Sequence, residues 1–213
     1  MSLIKPFQAV TFNQEKLTDI SSLACPPYDV ISSERQRYYH QLNPYNFIHQ
    51  YTIKGEKRIR LGFIALLELD KGSGSVLGHE HTRLEAKEDR LKTIRQTNAN
   101  LSPIFVVFAD KKRIVQRLYR EFAFDKKPFI EITDDEKNIH KLWRIDNPFM
   151  LEDIQSKMSQ EKIFIADGHH RYEVACAYRN QLQQKFPHLK DPSFNYIMAY
   201  FTNTDSRGLS ILA

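Results

Sequence analysis

The segment from Lys162 to Lys185 restricts the fold more than any other part of the chain. Lys162 to Ala166 contains Ile163, Phe164 and Ile165, an apolar run of strand length. Asp167-Gly168 interrupts it, and Val174, Ala175, Tyr178 and Leu182 then recur at helical spacing up to Lys185. The expected course is a strand, a tight turn and a helix beginning at Gly168. A helix leaves its first four amides without internal partners and carries partial positive charge at that end. The turn Ile165-Ala166-Asp167-Gly168-His169-His170-Arg171 is therefore expected to hold a phosphate or similar anion.

The rest of the chain supplies the strands and helices around this unit. Ile4 to Thr11 reads as a strand, and Cys25-Pro26-Pro27-Tyr28-Asp29 as a loop, because consecutive prolines remove two amide donors. Ser32 or Ser33 is expected to cap a short helix running to about Leu42. Arg58 to Leu69 and Val76-Leu77, separated by the turn Lys71-Gly72-Ser73-Gly74-Ser75, read as a hairpin. Leu84 to Thr97 reads as an exposed helix with Leu84, Leu91 and Ile94 on one side. Ile104 to Phe108 reads as a buried strand and Arg113 to Phe122 as a helix. Phe129 to Ile132 and Ile139 to Ile145 read as strands around an acidic turn at Asp134-Asp135-Glu136. Pro148 suits the first turn of a helix running to about Met158, and Tyr196 to Phe201 reads as a strand. Strands joined by hairpins and flanked by helices point to an α+β fold with a mixed sheet rather than an alternating βαβ array. The whole of 1–213 reads as one such unit. Gly208 to Ala213 reads as a strand stopped partway, which fits the N-terminal part of a longer protein.

The 213 residues are 41% hydrophobic and 27% charged, as in a soluble globular protein, so disorder is not expected to dominate. The net charge of +5 is spread along the chain, and its basic clusters read as solvated faces of a strand and a helix. The charge suits an anionic small molecule as well as nucleic acid, but the scatter of basic residues and the lack of a recognisable helix-turn-helix argue against nucleic acid. Cys25 and Cys176 are the only cysteines, so there is neither a disulfide framework nor a paired thiolate site, and a reducing cytoplasm fits. Neither a signal peptide nor an apolar run long enough to span a bilayer is present in the sequence.

Two clusters carry candidate chemistry. In the first, Gly168 lets backbone approach an anion, Arg171 adds a cationic fork, and His169 and His170 add groups that titrate near neutral pH. The helix terminus by itself is worth only roughly 0.3 to 1 kcal/mol at an exposed site. Asp167 reads either as an N-cap or as a ligand for a magnesium ion that bridges phosphates. The second cluster is His79-Glu80-His81-Thr82. It lacks the two histidines four apart that a zinc protease helix needs. A zinc set of His79, His81, His169 and His170 has no recognised ligand spacing behind it. Glu80 reads either as a general base for a hydroxyl substrate or as an exposed acid at the end of a hairpin. Arg90, with Lys87, can reach phosphate or pair with neighbouring acids on its helix. Asn100 and Ser102 can bond a ligand or merely shape the turn before the next strand, and Pro26 to Asp29 can line a pocket. Glycine-loop nucleotide signatures and the protein-kinase catalytic loop are missing from the sequence.

Taken together, several segments closely resemble the family catalogued as domain of unknown function 1015. They are Pro26-Pro27-Tyr28-Asp29-Val30, Gly78-His79-Glu80-His81-Thr82 with Asp89-Arg90-Leu91, Ala99 to Phe105, and Ile165 to Tyr172. Members of that family carry a further helix and strand between the equivalents of His49 and Gln50, and they continue past the equivalent of Ala213. The resemblance thus implies a segment missing at the 49/50 junction. The Asp-Gly-His-His-Arg turn with an upstream His-Glu pair is also similar to the free serine kinases of the ParB and sulfiredoxin-like superfamily. This second resemblance implies a ParB/sulfiredoxin-like core around 162–185. It also implies a phosphate cradled by Gly168, His169, His170 and Arg171, and magnesium or phosphate organised by Asp167. Glu80 of the His79-Glu80 pair would be the base. Apart from the resemblance, Thr82, Arg90, Asn100 and Ser102 are candidate substrate or phosphate contacts.

The expected function is a cytoplasmic small-molecule phosphotransferase, with ATP, ADP or pyrophosphate as donor and a hydroxyl such as that of free L-serine as acceptor. The alternatives are a nucleotide-responsive, ParB-like protein acting on nucleic acid and a metal-dependent hydrolase.

Overall fold

A computed structural model describes residues 3–12, 39–52, 58–70, 72–79, 84–135, 137–206 and 208–209. Its fold is α+β, with a mixed sheet and flanking helices. The first expected strand is present but divided: β1 (Ile4–Lys5) and β2 (Phe7–Phe12) lie on either side of Pro6, which has no amide hydrogen for a ladder. β1 pairs with β4 (Ile59–Glu68), and β2 pairs with β3 (Tyr39–Thr52).

Two expectations fail in this half of the chain. Tyr39 to Leu42 are strand rather than the end of a helix, with Tyr39, His40 and Gln41 in register with Phe12, Thr11 and Val10. Cross-strand pairing decides the conformation there, as it commonly does for residues of modest helix propensity. The expected hairpin between β4 and β5 (Val76–Leu77) does not form either. β4 has β10 (Tyr196–Asn203) on one edge and β3 and β1 on the other, so no edge remains for β5. The chain crosses instead to pair β5 in parallel with β9 (Ile163–Asp167). The loop at Pro26 to Asp29 and the cap at Ser32 or Ser33 lie outside the described residues.

The sheet order is β5-β9-β6-β10-β4-β3-β8-β7, where β6 is Ile104–Phe108, β7 is Ile130–Thr133 and β8 is Ile139–Ile145. On β4, Phe63, Ala65 and Leu67 face the same side as their β10 partners Phe201, Ala199 and Ile197, and all six are buried. Phe63 stacks on Phe201 at 4.8 Å and meets Phe108 edge-on at 6.3 Å. The helices contribute to this same core: Ile114 and Leu118 from α2 (Ile114–Phe122), Ile154 and Met158 from α3 (Pro148–Met158), and Ala175 from α4 (His169–Lys185). Asp110 fixes the start of α2 by accepting from the amides of Ile114 at 2.6 Å and Val115 at 2.9 Å.

α1 (Leu84–Thr97) packs along α4. The contact is tied by the Lys87–Glu173 ion pair, by Arg95 donating to Gln181 at 2.7 Å and by Tyr178 donating to Asn98 at 2.8 Å. Among the described residues no helix is long and apolar enough to cross a membrane.

Candidate functional site

The site begins at the junction of β9 and α4. β9 pairs antiparallel with β6, but Asp167 lies opposite Phe105 while Ile165 lies opposite Val106, so Ala166 is an extra residue. Such a bulge bends the strand and redirects the chain beyond it. Gly168 then adopts a left-handed conformation, with φ of 89°. A Cβ at this position would lie 2.9 Å from Cγ2 of Ile104 and 3.1 Å from two nitrogens of Arg171. Both backbone conformation and space therefore require glycine, and the helix starts with no side chain capping its first amides.

Asp167 does not cap the helix. Its carboxylate accepts instead from Nη2 of Arg171 at 2.7 Å, and its side chain is 71% exposed. Arg171 also donates through Nη1 to Oγ of Ser102 at 2.8 Å and to the carbonyl of Pro103. One guanidinium thus joins the end of β9, the first turn of α4 and the approach to β6. These acceptors use three of its five N–H donors.

On another side of the turn, the buried ring of His169 reaches the segment that leads out of β5. Its Nε2 accepts from the backbone amide of His79 at 3.3 Å, and the two imidazoles meet edge to face at 4.6 Å. An accepting Nε2 places the proton of the neutral ring on Nδ1. Gly78 fits closely beneath this ring, since a Cβ there would lie 3.2 Å from Cδ2 of His169. His170 is half-buried beside it. Glu80, His81 and Thr82 lie outside the described residues. Their neighbour His79 is exposed and in contact with the first residue of α4.

α4 also holds the other end of this loop. Nη1 of buried Arg179 donates to the carbonyls of Leu69 at 2.9 Å and Asp70 at 3.1 Å. The hydroxyl of Tyr172 accepts from the amide of Asp70 at 2.9 Å. The Asp70 carboxylate then gathers the amides of Gly72, Ser73 and Gly74. Burial raises the pKa of Tyr172 and of Cys176, so the phenol and thiol beneath the helix stay protonated, as packing groups would. Sequence reasoning missed Arg179. The only signal for it was a cation amid apolar residues within a helix.

Arg90, Asn100, Ser102 and Arg171, which the sequence picked out separately, line a single cavity of about 40 Å³ between α1, the loop at 99–102 and α4. Thr93, Ile94, Ala99 and Leu101 complete its wall, and Val174, Ala175 and Ile197 form a buried apolar floor. Val174 and Ala175, expected to pack, do so as part of that floor. Among the described residues, no three His, Cys, Asp or Glu side chains are grouped so that they could hold a metal ion.

The family model described as Protein of unknown function (DUF1015) matches residues 4–50 and 49–213, two stretches that meet at His49 and Gln50. No curated protein and no solved structure matches the chain.

Proposed function

Because the chain belongs to the DUF1015 family of proteins of unknown function, we propose its activity from its own site: a phosphotransferase acting on the hydroxyl of a small molecule such as free L-serine. The donor is ATP, ADP or pyrophosphate. One observation carries this reading. The backbone amide of His79 donates to the ring of His169, 90 residues apart, which sets the residue before Glu80 against the start of α4. A carboxylate base beside an anion-binding helix terminus would meet the needs of phosphoryl transfer, which depends mainly on positioning and charge neutralisation.

In this reading the backbone amides from Gly168 to Arg171 receive the transferred phosphoryl group, and Gly168 leaves room for it. His170 adds a donor beside it. His169 contributes its amide to the phosphate and its ring to His79. Glu80 takes the proton of the acceptor hydroxyl as its oxygen forms a bond to phosphorus and the bond to the donor's leaving phosphate breaks. Magnesium is commonly bound through one or two carboxylates together with the phosphates, and it neutralises their charge. Asp167, whose side chain is 71% exposed and whose Oδ2 is engaged by Arg171, would be one such ligand through its other oxygen. A bulged strand running through a glycine turn into a helix supports assigning 162–185 as a ParB/sulfiredoxin-like core.

The test is magnesium-dependent transfer to L-serine and other small alcohols from each donor. Glu80→Gln is expected to lower the rate by roughly 10² to 10⁴, the usual contribution of a general base. Asp167→Asn should reduce it by weakening the metal–phosphate complex. No turnover by the unaltered protein with any donor, or full activity in both variants, would end this reading.

A further inference from the structure

We propose that the cavity between α1 and α4 is a binding site for a small aliphatic carboxylate, separate from the phosphate site. The two sites lie on different sides of one helix. Successive helical residues are about 100° apart, so Arg171, Val174 and Ala175 sit roughly opposite His169. The cavity is lined by the first three, whereas His169 faces Gly78 and His79.

The chemistry of the lining selects the ligand. It holds two guanidinium groups, from Arg90 and Arg171, and no carboxylate. Three of Arg171's donors are already engaged, by Ser102, Pro103 and Asp167. Its other two have no acceptor among the described residues. Ser102 and Asn100 add hydrogen-bonding groups on the same side, while Val174 and Ile197 close the opposite side with apolar surface. A carboxylate suits this division, because it is planar with both oxygens on one side and carbon on the other. A phosphoryl group has oxygens in every direction and would press at least one against the apolar floor. Burying a polar atom without a partner is unfavourable.

Size points the same way. At about 40 Å³ the cavity has room for about three water-sized groups, since one needs on the order of 10–15 Å³. That accommodates a carboxylate with a carbon or two. The ties between α1 and α4 through Lys87, Arg95 and Tyr178 make the cavity a fixed feature of the helix pair.

The site stands or falls independently of phosphotransfer. The test is titration of the full chain with propionate, and separately with inorganic phosphate, followed by NMR chemical shifts. Propionate is expected to saturate with its largest shifts at Asn100, Ser102 and Val174. Arg90→Gln, on a partly exposed helix face, should weaken propionate tenfold or more. Val174→Phe should abolish propionate binding by filling the cavity. Failure of propionate to bind the unaltered protein, unchanged affinity in Arg90→Gln, or competition between propionate and phosphate for one site would overturn the proposal.

Discussion

The two sides of the first turn of α4 are built on opposite principles. On the side of His169 the structure is closed: a buried ring, a glycine whose Cβ would crowd that ring and a backbone amide fix the path of the chain out of β5. On the side of Arg171 it is open: the guanidinium forms a wall of a cavity and its neighbours can hydrogen-bond a guest. Polar residues two apart in sequence therefore do different work. His169 helps determine where His79 lies, while Arg171 lines a cavity. In His169-His170-Arg171 all three side chains look like anion ligands, and helical geometry separates them.

The largest effect that would sharpen this contrast comes from the closed side. Arg179→Leu removes the donor for two carbonyls at the start of the loop and leaves them buried against the helix. Chemical denaturation should show a loss of about 2–3 kcal/mol, the scale of hydrogen bonds to a charged group. The cavity on the open side should keep its ligand affinity. Gly168→Ala comes next, because a left-handed backbone costs an L-residue about 1–2 kcal/mol and its Cβ would press on Ile104. It acts on both sides at once, so stability and phosphate binding should fall together.

His169 tests the closed side alone. His169→Leu should cost about 1 kcal/mol, the usual net value of one hydrogen bond. It should also speed hydrogen exchange at the His79 amide. His169→Gln, which keeps an acceptor near the position of Nε2, should restore protection. Equal exchange in all three proteins would remove the coupling assigned to this ring.

The smallest expected effect lies far from the site and serves as a control. Burial tends to raise the pKa of Asp134, but hydrogen bonds from His140 and Asn138 outweigh it and hold the carboxyl at about 2 against an ordinary 3.8. A depressed carboxyl stabilises the fold above the ordinary value, and that contribution disappears as pH falls through about 2. Asp134→Asn should flatten stability between pH 4 and pH 2 without changing either side of α4.

Most elements were legible in the sequence. The helix expected from Leu84 to Thr97 and the strand from Ile104 to Phe108 are present with those limits, because each is a periodic or continuous apolar segment bounded by turn residues. Pro148 begins α3 behind Asn147, whose side chain accepts from Met150. Pairing was less legible. Val76-Leu77 has strand composition, but nothing local reveals that both edges of β4 are already occupied. The same holds for the site. Glycine and charge marked the turn at Asp167, while the roles of His169 and Arg171 depend on which elements pack beside them. In the sequence Arg90, Asn100 and Ser102 are separate polar residues, and only the packing of α1 on α4 gathers them into one cavity.

Whether the His-Glu motif and the α4 turn act as one site can be read from a double-mutant cycle on the phosphotransfer rate, combining Glu80→Gln with Asp167→Asn. Groups that act as a unit are strongly non-additive, so the double variant should be little slower than the slower single variant. If the two losses instead multiply as independent effects, the motifs do not form one site and the proposed chemistry at α4 is wrong.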